Sequence, residues 1–264
     1  MVKLGRLLTA MVTPFDDRGE IDCKQAKKLA LALLKSGSDG VVVANTGSYN
    51  TRESVELTRE AEKVGVDAAL LVVPYYSKPT QGGIYEHFKS IAAGTALPCI
   101  LYNVPGRTIT NLTADTTIEL SRIDNIVGIK EASGNLEQVT EIISGAGSDF
   151  LVFSGNDNDT FPIIASGGYG VISVASHLVG LQIKEMIDKA AGGRMAEAAS
   201  IHRRLVPLVK SLFIVSNPIP LKHALNYAGF RVGQPRLPLT PPDEKSAALI
   251  ENTLKKYRLD LPLD

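Results

Sequence analysis

One lysine carries the most chemistry in this sequence. In residues 125–135 (NIVGIKEASGN), Val127, Gly128 and Ile129 read as a short buried strand with Lys130 near its C-terminal end. Side chains alternate along a strand, so Lys130 shares a face with Gly128 and Ala132, and Glu131 takes the other. Small and aliphatic neighbours strip water from an ammonium, which disfavours the charged form and pulls its pKa down from ~10.4. A neutral amine can attack a carbonyl and form a Schiff base. The residue also fits a plain strand-end lysine with its ammonium in solvent, and this stretch alone leaves both readings open.

Other polar groups gather where apolar runs end. Tyr75 and Tyr76 follow Pro74; Tyr102 precedes Pro105 and Arg107; Gly155, Asn156 and Asp157 close one run, and Ile172 and Ser173 another. A phenol beside a Schiff-base lysine can shuttle protons through imine and C–C bond formation. Arginine offers a planar fork for a carboxylate, and a small residue such as Gly155 leaves room for a substrate. Taken singly, Tyr102 also fits core packing and Arg107 a solvated loop charge. Jointly, at strand ends, they favour a site.

The elements that must position them alternate from the start. Strands are expected at residues 7–14, 40–44, 67–74, 98–104, 126–131, 150–155 and 170–175. Asp22 with Gln25, Asn50 with Glu53, and Asn135 with Gln138 have the spacing of helix capping boxes. Helices are expected after each, with further ones at 81–93, 113–121 and 160–165. From Leu178 only helical patterns remain, broken at Gly192–Gly193, at Pro207 and at the loop 216–220. Near-continuous Val/Ile/Leu strands point to a parallel sheet buried on both faces. Strict βα alternation points to a TIM-type parallel βα barrel with chemistry at the C-terminal strand ends, here with seven strands rather than eight. We expect residues 1–177 to form the barrel, and 178–264 to supply C-terminal helices that complete it and form a helical extension, all within a single structural unit.

Composition narrows the function classes. The 264 residues are 44% hydrophobic and 21% charged, with 28 basic and 28 acidic side chains. Zero net charge gives no electrostatic reason to expect nucleic acid or an anionic membrane as partner. Cys23 and Cys99 lie in helical or apolar patterns and make no disulfide framework or metal site. The four histidines, His87, His177, His202 and His223, lack ligand spacing. No signal peptide or membrane-spanning run is evident, so a soluble cytoplasmic protein is the expectation.

The segments PYYSKPTQGGIYEHFKSIA, LYNVPGRT, GIKEASGN, FSGND, GVISV and NPIPLKHAL together closely resemble the 4-hydroxy-tetrahydrodipicolinate (dihydrodipicolinate) synthase family. That family belongs to the class I, lysine-dependent pyruvate lyase/aldolase superfamily. The resemblance covers nearly the whole chain. The arginine of YNVPGRT and the glutamate of GIKEASGN point to this branch rather than to N-acetylneuraminate lyases or keto-deoxy-sugar aldolases. It implies that Lys130 forms the Schiff base with pyruvate and that Tyr102 relays protons. Arg107 then holds the carboxylate of aspartate semialdehyde, and Ile172 gives backbone contacts to pyruvate. Tyr76 resembles the tyrosine each subunit inserts into its partner's site across a tight dimer. Tyr75 and Glu53 fall where some members bind lysine as feedback inhibitor; Tyr49 stands where such members usually have asparagine, which argues against feedback inhibition here. The reaction implied condenses pyruvate with aspartate semialdehyde, the first step committed to diaminopimelate and lysine. No metal or organic cofactor is implied.

One departure stands out. The family carries GTTGE at the end of its second strand, followed by a helix and a third strand; this chain has no GTTGE. Residues 41–63 read as the entry of the second strand joined to the exit of the family's third strand and its helix, so one βα unit of about 30 residues is missing. The missing motif holds the threonine that links the two tyrosines of the relay, and a threonine for the pyruvate carboxylate. Aligned locally, Asn45 and Thr46 overlie those threonines; aligned by the following helix, which gives the longer match, Thr46 belongs to the next strand. An impaired relay is therefore expected, along with weakening of the homodimer or homotetramer that resemblance implies. Three readings remain: an active synthase, a catalytically inactive deletion variant of the barrel, and a related pyruvate aldolase acting on another aldehyde.

Overall fold

Capping residues and glycines set where the elements begin and end in the computed structural model, which describes residues 4–262. In chain order the elements are β1 (Leu7–Ala10), α1 (Cys23–Lys35), β2 (Gly40–Val42), α2 (Thr51–Lys63), β3 (Ala69–Val72), α3 (Gln81–Ala93), β4 (Cys99–Asn103), α4 (Pro105–Thr108), α5 (Ala114–Leu120), β5 (Ile126–Glu131), α6 (Leu136–Gly145), β6 (Leu151–Ser154), a 3-10 turn (Asp157–Asp159), α7 (Thr160–Ala165), β7 (Gly170–Ser173), α8 (Ser176–Ala191), α9 (Met195–Ser211), α10 (Ile219–Tyr227) and α11 (Glu244–Leu254). The fold class is that of a TIM-type parallel βα barrel with seven strands among the described residues, plus C-terminal helices. No described helix is long and apolar enough to cross a membrane.

The chain divides into two units. The first holds Leu4 and Ala44–Ile172. Its strands run parallel as neighbours in the order β7, β6, β5, β4, β3. Leu71, Val73, Ile84, Phe88, Ile91, Leu101, Ile129 and Ile142 form its apolar core, drawn from strands and covering helices alike. Strands buried on both faces explain why their sequences run apolar without alternation. Gly128 is required by packing: a Cβ there would lie 2.4 Å from the Leu151 carbonyl oxygen of β6.

The outer edge of β3 is closed by the segment leading into α2. The Thr46 N–H donates to the Leu70 carbonyl at 3.0 Å, and the Val72 N–H donates to Asn45 Oδ1 at 3.0 Å. A Cβ on Gly47 would meet the Val72 backbone nitrogen at 2.4 Å. Residues 45–47 therefore run against β3 in place of a full strand, as the longer of the two alignments implies for Thr46.

The second unit comprises Gly5–Val43 and residues 173–262. Here β1 pairs in parallel with β2, α8 packs on α9 and α1, and α11 packs on α9 and α10. Lys184 pairs with Asp39 at 2.6 Å, and the same aspartate accepts the Leu7 N–H at 2.9 Å.

Several local expectations need correction. Apart from β5, which spans the expected residues 126–131, the strands are shorter than the apolar runs: β2 ends at Val42, and Val43 and Ala44 are exposed. Asp22, Asn50 and Asn135 do cap their helices, but the reciprocal arms go elsewhere. Gln25 Nε2 donates to the Arg231 carbonyl, Glu53 accepts from Ser48 Oγ, and Gln138 turns inward to Glu131. Pro207 does not break its helix. It lies on the exposed face of α9, while Ile201, Leu205 and Leu208 keep the buried stripe continuous. That packing outweighs the roughly 3 kcal/mol a mid-helix proline costs. The loop expected at 216–220 is cut short, since α10 begins at Ile219 with Pro220 in its first turn, where the missing N–H has no partner to lose.

Candidate active site

In-register pairing of β4 with β5 places Tyr102 directly beside Lys130, and Asn103 beside Glu131. Neighbouring residues of parallel strands present their side chains to the same face, so the Lys130 amine comes to rest 4.3 Å from the centroid of the Tyr102 ring. Lys130 is 5% exposed, which rules out the solvated strand-end reading. Burial pushes its pKa down to about 8; Asp157 pulls it up in part, and Arg107 adds to the lowering. No hydrogen-bond acceptor engages the amine among the described residues. Burial raises the Tyr102 phenol above its ordinary value, with Arg107 opposing, so the phenol keeps its proton at neutral pH.

Arg107 sits in α4, a four-residue helical turn that starts at Pro105, rather than in a loop. The turn ends at Ile109, whose φ of 62° is left-handed. Tyr76 and Lys78, in the loop after β3, share this conformation with φ of 69° and 47°. Non-glycine residues rarely adopt it, and such strain gathers at functional sites. All three lie just beyond the C-terminal ends of β3 and β4, and Tyr102 and Lys130 stand at the C-terminal ends of β4 and β5.

The remaining residues singled out from sequence are placed as follows. Ile172 is fully buried in β7. Gly155 donates its N–H to the Glu131 carbonyl at 2.7 Å, and a Cβ there would lie 2.6 Å from that of Ala132; the room it leaves is filled by the protein itself. Asn156 Nδ2 donates to Asp159 at 2.9 Å and so shapes the 3-10 turn. The Thr46 hydroxyl accepts from Thr58 Oγ1 on α2 at 2.9 Å. Tyr76 is 90% exposed. Tyr49 and Tyr75 meet edge to face at 5.4 Å, and Glu53 takes the Ser48 hydroxyl at 2.7 Å. The structure thus joins Lys130, Tyr102 and, electrostatically, Arg107, and separately pairs Tyr49 with Tyr75.

Two groups were underread in the sequence. Asp157 was noted only as part of a polar cluster, yet it is buried and acts on Lys130 through its charge. Glu131 was a mere branch marker, yet it is 1% exposed and accepts from Asn103, Gln138 and the Ser133 N–H. The available signal was an acidic residue inside an apolar strand, since a buried carboxyl requires partners.

An amine that is buried, unbonded and half neutral near pH 8, under a phenol that retains its proton, can form and break an imine. Comparison with known proteins gives the same direction. The model of the Dihydrodipicolinate synthetase family matches residues 3–45 and 41–257. The chain is 56% identical over 296 positions to a 4-hydroxy-tetrahydrodipicolinate synthase of Dehalococcoides mccartyi, covering 100% of both. It is 44% identical over 289 positions to the synthase of that name from Bacillus subtilis, covering 97% of this chain and 100% of the relative. Among solved structures, a dihydrodipicolinate synthase of Bacillus anthracis superposes with a TM-score of 0.95 at 41% identity, over 97% of this chain and 99% of the other. A Cyanidioschyzon merolae enzyme with lysine bound gives 0.94 at 40%, over 96% and 97%. The 296 aligned positions exceed the 264 residues of this chain by 32, and the two family matches meet at residues 41–45. That is where the missing βα unit was inferred. With both the lysine-centred geometry and the full-length similarity in hand, the chain belongs to the Dihydrodipicolinate synthetase family.

Proposed function

We propose that this chain is a lysine-dependent lyase that condenses pyruvate with aspartate 4-semialdehyde to 4-hydroxy-tetrahydrodipicolinate. The observation that carries this is the Lys130 amine, buried and held 4.3 Å from the Tyr102 ring centroid. The neutral amine adds to the keto carbon of pyruvate. The resulting carbinolamine loses water as the imine forms, and loss of a C3 proton gives the enamine. That carbon attacks the aldehyde of the second substrate, forming the C–C bond, and the aldehyde oxygen takes a proton. The substrate amine then displaces Lys130 from the imine carbon as the ring closes. Tyr102 is the proton carrier nearest the amine, and Arg107 is the fork for the second substrate's carboxylate. The high exposure of Tyr76 in a left-handed backbone supports its insertion into a second copy of the chain.

A second reading has one specific observation in its favour. The Thr46 hydroxyl accepts from Thr58 on α2, and the segment that carries the family's relay threonine is absent. On that reading the protein captures pyruvate but condenses slowly or not at all. Steady-state condensation of the two substrates decides the matter. Turnover matching full-length relatives supports an intact relay. Pyruvate capture with turnover at background would leave a folded but non-productive site.

A further inference from the structure

We infer that Glu131 is a positioning residue, whose buried side chain clamps the ends of β4 and β5 and thereby sets Tyr102 and the Arg107 turn against Lys130; this rests on the function proposed above. Each site residue is next to, or a few residues from, a member of one buried polar network. Glu131 follows Lys130, and Asn103 follows Tyr102. Glu131 Oε2 accepts from Asn103 Nδ2 at 2.9 Å and from Gln138 Nε2 on α6 at 3.1 Å. Its Oε1 accepts the Ser133 N–H at 2.6 Å. No cation pairs with it among the described residues, so three neutral donors satisfy a carboxyl that is 1% exposed.

The network also closes the segment that carries Arg107. Asn103 stands at one end of residues 103–112. Its side chain accepts the Leu112 N–H at 3.0 Å and donates to Asn111 Oδ1 at 2.9 Å at the other end. Asn111 in turn donates to Gln138 Oε1 at 2.8 Å. One carboxyl thus fixes the strand ends bearing the amine and the phenol, together with both ends of the turn bearing the guanidinium. Backbone bonds alone do not do this: among the described residues, β4 and β5 are joined beyond their last pair by the Ala132 N–H on the Asn103 carbonyl, at 2.8 Å. Catalytic geometry is sensitive to displacements of about 1 Å.

Glu131→Gln tests this, because an amide turns one acceptor into a donor aimed at donors already present. Two measurements are made on the folded variant: the rate of pyruvate adduct formation on Lys130 under borohydride, per folded molecule, and hydrogen exchange at individual amides. The inference expects adduct formation to slow at least tenfold. Protection should fall at Leu112 and Ser133 but hold at Ile129 in the body of β5. Gln138→Met keeps the β4–β5 bond and loses only the α6 arm, so its slowing should be smaller; it also serves if Glu131→Gln fails to fold. Unchanged adduct rate per folded molecule, or protection lost evenly across the unit, overturns the inference. If the wild-type chain forms no adduct, the proposed function falls, and the clamp stands or falls on whether exchange changes are confined to those two amides.

Discussion

Two lysines in this molecule have almost the same surroundings by simple measures, and we propose opposite roles for them. Lys130, in the first unit, is 5% exposed, lies 4.3 Å from the Tyr102 ring centroid and has a pKa near 8. Lys222, in the second, is 2% exposed, lies 4.1 Å from the Phe15 ring centroid and has a pKa of about 8. Burial lowers both, and the added push from an arginine is common to both, Arg107 in one case and Arg236 in the other. The difference lies in what the nitrogen touches. Lys222 donates to the Val232 and Gln234 carbonyls at 3.0 and 3.4 Å, tying α10 to the strap that follows it. Its ring neighbour has no hydroxyl. Lys130 donates to no acceptor among the described residues, and its ring neighbour carries a proton that can move. A depressed pKa therefore marks a buried lysine; a free lone pair beside a proton carrier marks a nucleophile.

The comparison breaks most sharply under substitution. Lys130→Met should reduce condensation to background, whereas Lys222→Met should leave turnover per folded molecule near that of the parent, measured with both substrates at saturation. Tyr102→Phe keeps the ring against the amine and removes only the proton; pyruvate capture should slow by about 10²–10⁴-fold, read by borohydride quenching over time.

Stability separates the pair with a sign that depends on pH. Both folded-state pKa values lie below the unfolded 10.5, so the unfolded chain binds more protons between about pH 8 and 10.5, and stability rises with pH across that window. Below pH 8 each buried ammonium costs on the order of 3 kcal/mol, at about 1.4 kcal/mol per unit. Lys130→Met should recover most of that at pH 7 and nothing at pH 10.5. Lys222→Met removes a donor from the Gln234 carbonyl, while the Val232 carbonyl keeps the Phe15 N–H. At a cost of roughly 2 kcal/mol for the one stranded group, the substitution should be near neutral at pH 7 and destabilising by roughly 2 kcal/mol at pH 10.5. Denaturant titrations at the two pH values give the four numbers. The smallest effect concerns the shortened region: Asn45→Ala unpairs the Val72 N–H at the edge of β3 and should cost about 1 kcal/mol without altering pyruvate capture.

Much of this was legible in the sequence, and the exceptions have a common cause. The seven strands were readable because buried parallel strands are apolar throughout, and Lys130 drew attention because a charge beside such a strand has few explanations, although its stretch alone left its burial open. Caps were readable at Asp22, Asn50 and Asn135 because a side-chain oxygen three residues ahead of an N–H is a local fact. What Gln25, Glu53 and Gln138 do with their own side chains is decided by partners 206, 5 and 7 residues away, and local spacing misassigned all three. Pro207 was misread for the same reason, since only packing shows that its face is exposed. Gly155 invited a substrate; the space belongs to Ala132. The Glu131 network was invisible because it needs β4, β5 and α6 assembled before its donors converge.

The most direct test is borohydride reduction of the wild-type protein with pyruvate, followed by mass spectrometry of its peptides. The account predicts a single pyruvate adduct, on Lys130, with Lys222 unmodified although the two amines titrate alike. An adduct on Lys222, or none on Lys130 in a protein that still melts cooperatively, would contradict it.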